Sequence, residues 1–209
     1  MFSSQELADL TSHAVRSVDS NDLAYLVTTG KSEHPIRDLL GAHLTKQFPS
    51  LTAAREYQRR DLVVLENGQP LAMIEGKLWI SFEANFPSKL HNPNPKEGLI
   101  AAAQSDIAKM KAIHVATGCQ QFTSTVLYAA DIRQLDERHL SAVKYSHWLR
   151  RGLTDGADLE VAHSLGVRNF VDAISPFGLT ASARLFRGQA FGMTVIADVI
   201  IGNVAHPYI

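Results

Sequence analysis

Apolar and polar positions alternate most regularly between residues 61 and 78, `DLVVLENGQPLAMIEGKL`, where two apolar runs flank Asn67-Gly68. Asn-Gly suits the positive-φ positions of a type I′ turn, so this stretch predicts a β-hairpin. Elsewhere the apolar period is helical. Ile36, Leu39, Leu40 and Leu44 repeat at helix spacing in `SEHPIRDLLGAHLTKQF`, with Ser32 as the expected N-cap and Pro35 in the first turn. `SSQE` at 3–6 is a capping box with Ser3 as N-cap and Glu6 reaching back, so a helix is expected to about residue 18. `LIAAAQSDIAKMKAIHVAT` predicts a helix ended by Gly118, and `QFTSTVLYAAD` a buried strand. `DERHLSAVKYSHWLRRG` predicts one helix capped by Asp136 and closed by Arg150 and Arg151, and `ADLEVAHSLGV` a shorter one. `GQAFGMTVIADVIIGNV` predicts a closing strand or pair of strands. The Pro/Asn-rich segment at 85–98 predicts a loop, and `NDLAYLVTTG` fits neither period cleanly. The sum is an α/β chain with a mixed β-sheet flanked by helices.

Composition narrows the class. The chain has 209 residues, 45% of them apolar, which suits a single domain with a sizeable core. Charged residues make up 20% and the net charge is −1, so any nucleic-acid surface has to be a local patch. The lone Cys119 forbids an intrachain disulfide, reads as a small buried hydrophobe, and fits a reducing compartment. The N-terminus lacks the basic and apolar regions of a signal peptide, and no apolar stretch is long enough to span a bilayer. A cytoplasmic protein with no membrane partner is expected.

The hairpin carries charges where a buried strand needs none. Glu75 and Lys77 are two apart and so share a face, opposite the face of Ala72, Ile74, Gly76 and Leu78. A strict two-residue turn sets Asp61 opposite Ile74, on the wrong face. One bulge would instead set Asp61 beside Glu75, and Pro70, which lacks an N–H, disturbs the ladder near the turn. Two adjacent carboxylates repel unless a cation lies between them. Mg²⁺, or Mn²⁺ in its place, is a hard cation that takes such oxygen ligands and substrate phosphate oxygens. Lys77 would then orient or deprotonate the attacking water, or neutralise developing charge, in hydrolysis of a phosphodiester.

Asp61 followed by Glu75-Gly76-Lys77 resembles the PD-(D/E)xK nuclease superfamily, the restriction-endonuclease-like class. The resemblance covers about residues 32–130. It implies a restriction-endonuclease-like core in which Asp61 and Glu75 hold metal, the Gly76 carbonyl adds a backbone ligand, and Lys77 assists the water. Glu33, opening the preceding helix, fits the further acid that such helices donate. The helix and strand that follow the `EGK` element fit the same core. Residue 60 is Arg where the motif has Pro, so only the aspartate of that half is present. Residues 131–209 lie outside the resemblance and are expected to serve dimerisation or target recognition.

Other residues extend this reading. Arg55, Arg59 and Arg60, with Tyr57, form a basic stretch before the catalytic strand that could contact phosphates, or equally a solvated loop. Gln104 lies on the helix after `EGK`, where some members of the superfamily turn a Gln or Lys to the site; Lys109 is five positions further. His147, Trp148, Arg150 and Arg151 form a second basic-aromatic cluster, which also reads as core plus helix end. The nine histidines show no zinc spacing, and P-loop, GxSxG and GxGxxG motifs are absent from the sequence. The expected activity is that of a Mg²⁺-dependent DNA endonuclease acting as a homodimer, whose two-fold axis would match that of duplex DNA. The alternative is a catalytically inactive protein of the same fold that binds DNA or assembles with a partner. In that case Asp61 merely opens a strand, and Glu75 and Lys77 form a surface ion pair.

Overall fold

The hairpin forms around Asn67 and Gly68, both at positive φ (51° and 76°), as the Asn-Gly pair requires. The computed structural model describes residues 1–30, 33–57, 60–85 and 98–204. In chain order the elements are α1 (Ser4–Val15), α2 (Ser20–Thr29), α3 (Glu33–Gln47), β1 (Leu51–Tyr57), β2 (Arg60–Glu66), β3 (Gln69–Ile80), α4 (Leu99–Thr117), β4 (Gln120–Ala130), α5 (Ser146–Gly152), α6 (Leu159–Ile174), β5 (Leu179–Ala190) and β6 (Met193–Asn203). A short 3-10 turn, Ser81–Asn85, follows β3 directly.

The described strands make one six-stranded mixed sheet in the order β1-β2-β3-β4-β6-β5. β3 and β4 run parallel, joined by the crossover that contains α4, and every other neighbouring pair is antiparallel. One face carries α3 over β1, β2 and β3 and α1 and α2 over β5, around a core that includes Leu62, Val64, Ile74 and Val126. The other packs α4 and α6 over Val63, Met73, Leu127 and Ile200. Period-two alternation along β2 and β3 sorts these residues to their two faces.

The capping box on α1 is present, with Ser3 Oγ accepting from Glu6 N–H and Glu6 accepting from Ser3 N–H. That helix ends at Val15, three residues earlier than expected. α4 ends at Gly118 and β4 is almost wholly buried, as the sequence predicts. The undecided `NDLAYLVTTG` segment is α2, capped by the Asp19 side chain.

Several expectations are corrected. The helix expected from Asp136 to Gly152 is not continuous. Asp136 caps only a 3-10 turn (Glu137–His139), and α5 starts after Tyr145, whose φ of 59° interrupts helical geometry. α6 is longer than expected and runs to Ile174. The final pair of strands begins at Leu179, ahead of the `GQAF` segment. Of the two readings of the basic stretch, the loop does not hold for Arg55 and Tyr57, which belong to β1. Ser32, Arg59 and the loop at 86–97 lie outside the described residues. Among the described residues no helix is long and apolar enough to cross a membrane.

Candidate active site

The register of the hairpin decides where Asp61 lies. Glu66 pairs with Gln69 and Leu65 with Pro70, but Val64 then pairs with Ala72, so Leu71 is an extra residue. This bulge moves every later pair by one, to Val63 with Met73 and Leu62 with Ile74. The ladder ends at Leu62–Ile74, and its register continued by one step points Asp61 toward Glu75. Both acids therefore lie on the face covered by α4 and α6. Asp61 Oδ2 accepts the Gly76 backbone N–H at 2.7 Å, which ties the start of β2 to the centre of β3.

Glu75 and Lys77 are neighbours on that face, with Nζ 3.3 Å from Glu75 Oε1. Burial, and next the charge of Asp61, push the Glu75 carboxyl above the ordinary carboxylate range, although Lys77 opposes this. Burial alone would lower the Lys77 ammonium. The carboxylates of Asp106, Glu75 and Asp61 outweigh that and hold it above its ordinary value.

Asp106 was not singled out by the sequence reading. It projects from α4 and is buried; its carboxylate lies 3.6 Å from Lys77 Nζ and 3.1 Å from Lys109 Nζ. One signal was available: it is the lone acid in α4. Gln104, the residue expected there, is half-buried and makes no described bond to the site. A narrow cleft between strands and helices is lined by Glu75, Lys77, Asp106, Thr123 and Thr125 together with the apolar side chains of Trp79, Ala103, Ile107, Phe170 and Ile174.

A second charged group flanks Asp61. Arg37 of α3 reaches Glu56 at 2.6 Å and Asp38 at 2.9 Å, and its Nη1 lies 4.0 Å from Asp61 Oδ1. Arg55 pairs with Asp38 at 2.7 Å. Burial and these two arginines act in opposite directions on Asp38, and the arginines win, holding its carboxyl low. Arg55 is thus tethered beside the site but exposed, and Arg60 opens β2 next to Asp61. Glu33 lies on the first turn of α3; its side chain is outside the described residues.

The Asp61–Glu75 pair offers oxygen donors, and among the described residues the cations that reach it are Lys77 and Arg37. That donor set fits a hard divalent cation, with Gly76 offering its carbonyl. Among the described residues no three His, Cys, Asp or Glu side chains converge as a preformed metal cluster. Cys119 is buried, and Trp148 packs partly into the core with Arg151 over its ring at 5.5 Å.

Another polar chain mimics a catalytic triad. Ser81 Oγ and Asp198 Oδ2 each hydrogen-bond a ring nitrogen of His163 at 2.8 Å. Arg184 then binds Asp198 at 2.6 Å and Glu160 at 2.7 Å. Ser81 and His163 have no exposed surface, so no substrate reaches the hydroxyl. The chain is a strut between the end of β3, α6 and the last two strands. No protein-family model matches this chain, and neither a curated protein nor a solved structure matches it.

Proposed function

We propose that the protein is a Mg²⁺-dependent DNA endonuclease of the restriction-endonuclease-like class. The observation that carries the reading is the bulge at Leu71, which brings Asp61 and Glu75 onto one face beside Lys77. The element order supports it too. Helix α3 precedes the strands, and α4 and β4 follow the `EGK` strand.

Asp61, Glu75 and the Gly76 carbonyl would hold Mg²⁺ or Mn²⁺. The ion would supply Lewis-acid polarisation of a phosphoryl oxygen. Asp61 Oδ2 is already oriented by the Gly76 N–H, and Oδ1, 4.0 Å from Arg37 Nη1, would have to turn from that arginine toward the metal. Glu75 would exchange its Lys77 partner for the metal. Lys77, a cation in this environment, would orient the attacking water and stabilise negative charge on the phosphate. Arg55 and Arg60 would contact backbone phosphates along the strand edge. A homodimer would set two such sites about a two-fold axis for cutting both strands.

The test is incubation of supercoiled plasmid and linear phage DNA with the protein and Mg²⁺, beside EDTA and Lys77→Ala controls. Cleavage lost in both controls supports the reading. Cleavage that survives Lys77→Ala overturns the site. No cleavage of any substrate favours the inactive, DNA-binding alternative.

A further inference from the structure

We infer that Asp106 is a positioning residue: its carboxylate anchors the Lys77 ammonium from the helix side, so that Glu75 is free to take the metal. The inference rests on the nuclease reading for its catalytic consequence. The contact itself does not.

The geometry is asymmetric. Lys77 Nζ lies between two carboxylates, Glu75 at 3.3 Å on its own strand and Asp106 at 3.6 Å across the cleft. Only the first would be claimed by a metal. Asp106 is the more buried of the two, with 11% of its side chain exposed against 21% for Glu75. A buried carboxylate has to be paired, and its partners here are two ammonium groups, Lys77 and Lys109. Lys109, one turn along the same helix, pairs with the other oxygen at 3.1 Å, leaving Oδ2 toward Lys77. Asp106 sits among Leu99, Ile107 and Met110 on the buried side of α4, where an acid has poor helix propensity and no cap to serve. Without it, Lys77 has Glu75 as its one remaining described partner. The lysine would then compete with the cation for that carboxylate.

The experiment uses the full chain as wild type, Asp106→Asn, Asp106→Glu, Lys77→Met and Asp106→Asn/Lys77→Met, each checked for folding by circular dichroism. Mn²⁺ binding without DNA is read by electron paramagnetic resonance. Asp106→Asn is expected to weaken Mn²⁺ binding several-fold. In the Lys77→Met background the same change is expected to alter it less than about twofold, because the effect passes through the lysine. Equal losses in both backgrounds would overturn the inference, since they mark a direct charge effect. Plasmid cleavage adds a second reading, in which Asp106→Asn lowers kcat with KM for DNA unchanged and Asp106→Glu restores much of the rate. A metal-independent reading is the labelling of Lys77 by an amine-reactive reagent at fixed pH. Asp106→Asn is expected to speed it several-fold, and an unchanged rate would overturn the anchoring whatever the nuclease assays give. If the wild type neither binds Mn²⁺ nor cleaves DNA, the nuclease reading fails and the catalytic half of this inference fails with it.

Discussion

Asp61 Oδ2 accepts the Gly76 backbone N–H at 2.7 Å, and this one bond ties the first acid of the hairpin to the centre of the `EGK` element. It exists because of the residue inserted at Leu71. Without that residue the register would set Asp61 opposite Ile74, whose side chain belongs to the core under α1 and α3.

Asp61→Asn keeps an acceptor for the Gly76 N–H but removes the charge beside Glu75. The fold should survive, and plasmid cleavage should fall by roughly a hundredfold or more. Rates measured at saturating Mg²⁺ against thermal midpoints check both halves. A rate within a few-fold of wild type would remove Asp61 from the site.

Glu83, in the turn that follows β3, is pushed up to about 7 by burial. The folded protein therefore holds this proton more tightly than the unfolded chain, whose carboxyl titrates near 4.5. The stability associated with the protonated form is complete below pH 4.5 and is lost as pH rises to about 7. Glu83→Gln should remove this slope and be more stable than wild type at pH 8, by about 2–3 kcal/mol. Urea unfolding at pH 5 and pH 8 reads it.

Asp198 behaves in the opposite sense. Burial raises its carboxyl, but the bonds from His163 and Arg184 prevail and hold it below its ordinary value. Its contribution is present above the ordinary carboxylate range and fades as pH falls through the lowered value. Asp198→Ala leaves His163 and Arg184 without their shared partner and should cost about 3 kcal/mol near neutral pH. The deficit should shrink in strong acid, a trend that denaturation carried from neutral pH to below the ordinary carboxylate range would show.

Gly166 of α6 lies against the turn that follows β3. A Cβ there would lie 2.2 Å from the Ser81 carbonyl oxygen, and backbone cannot swing aside as a side chain can. Gly166→Ala should destabilise by about 2–3 kcal/mol through overpacking. A change below 0.5 kcal/mol in thermal unfolding would show that the two segments are less closely packed.

Local signals carried much of this fold into the sequence. The capping box at Ser3, the Asn-Gly turn and the helix stop at Gly118 are short-range devices, and each stands where the pattern put it. What was not legible depends on partners distant in sequence. β1 is rich in charge because Arg55 and Glu56 pair with α3, so it reads as a loop until those partners are known. The break before α5 lies in the backbone of Tyr145, a residue type that does not announce positive φ. In the candidate site, the i,i+2 spacing put Glu75 and Lys77 on one face, and a bulge, found at Leu71, brings Asp61 toward them. Asp106 and Arg37 reach the site only through helix-on-sheet packing, which no spacing rule records.

The most direct measurement is an anomalous difference map from crystals grown with Mn²⁺. A peak is expected within ligand reach of the carboxylates of Asp61 and Glu75, with Lys77 turned toward Asp106. No peak at millimolar Mn²⁺, or a peak that neither carboxylate touches, would contradict the proposed site.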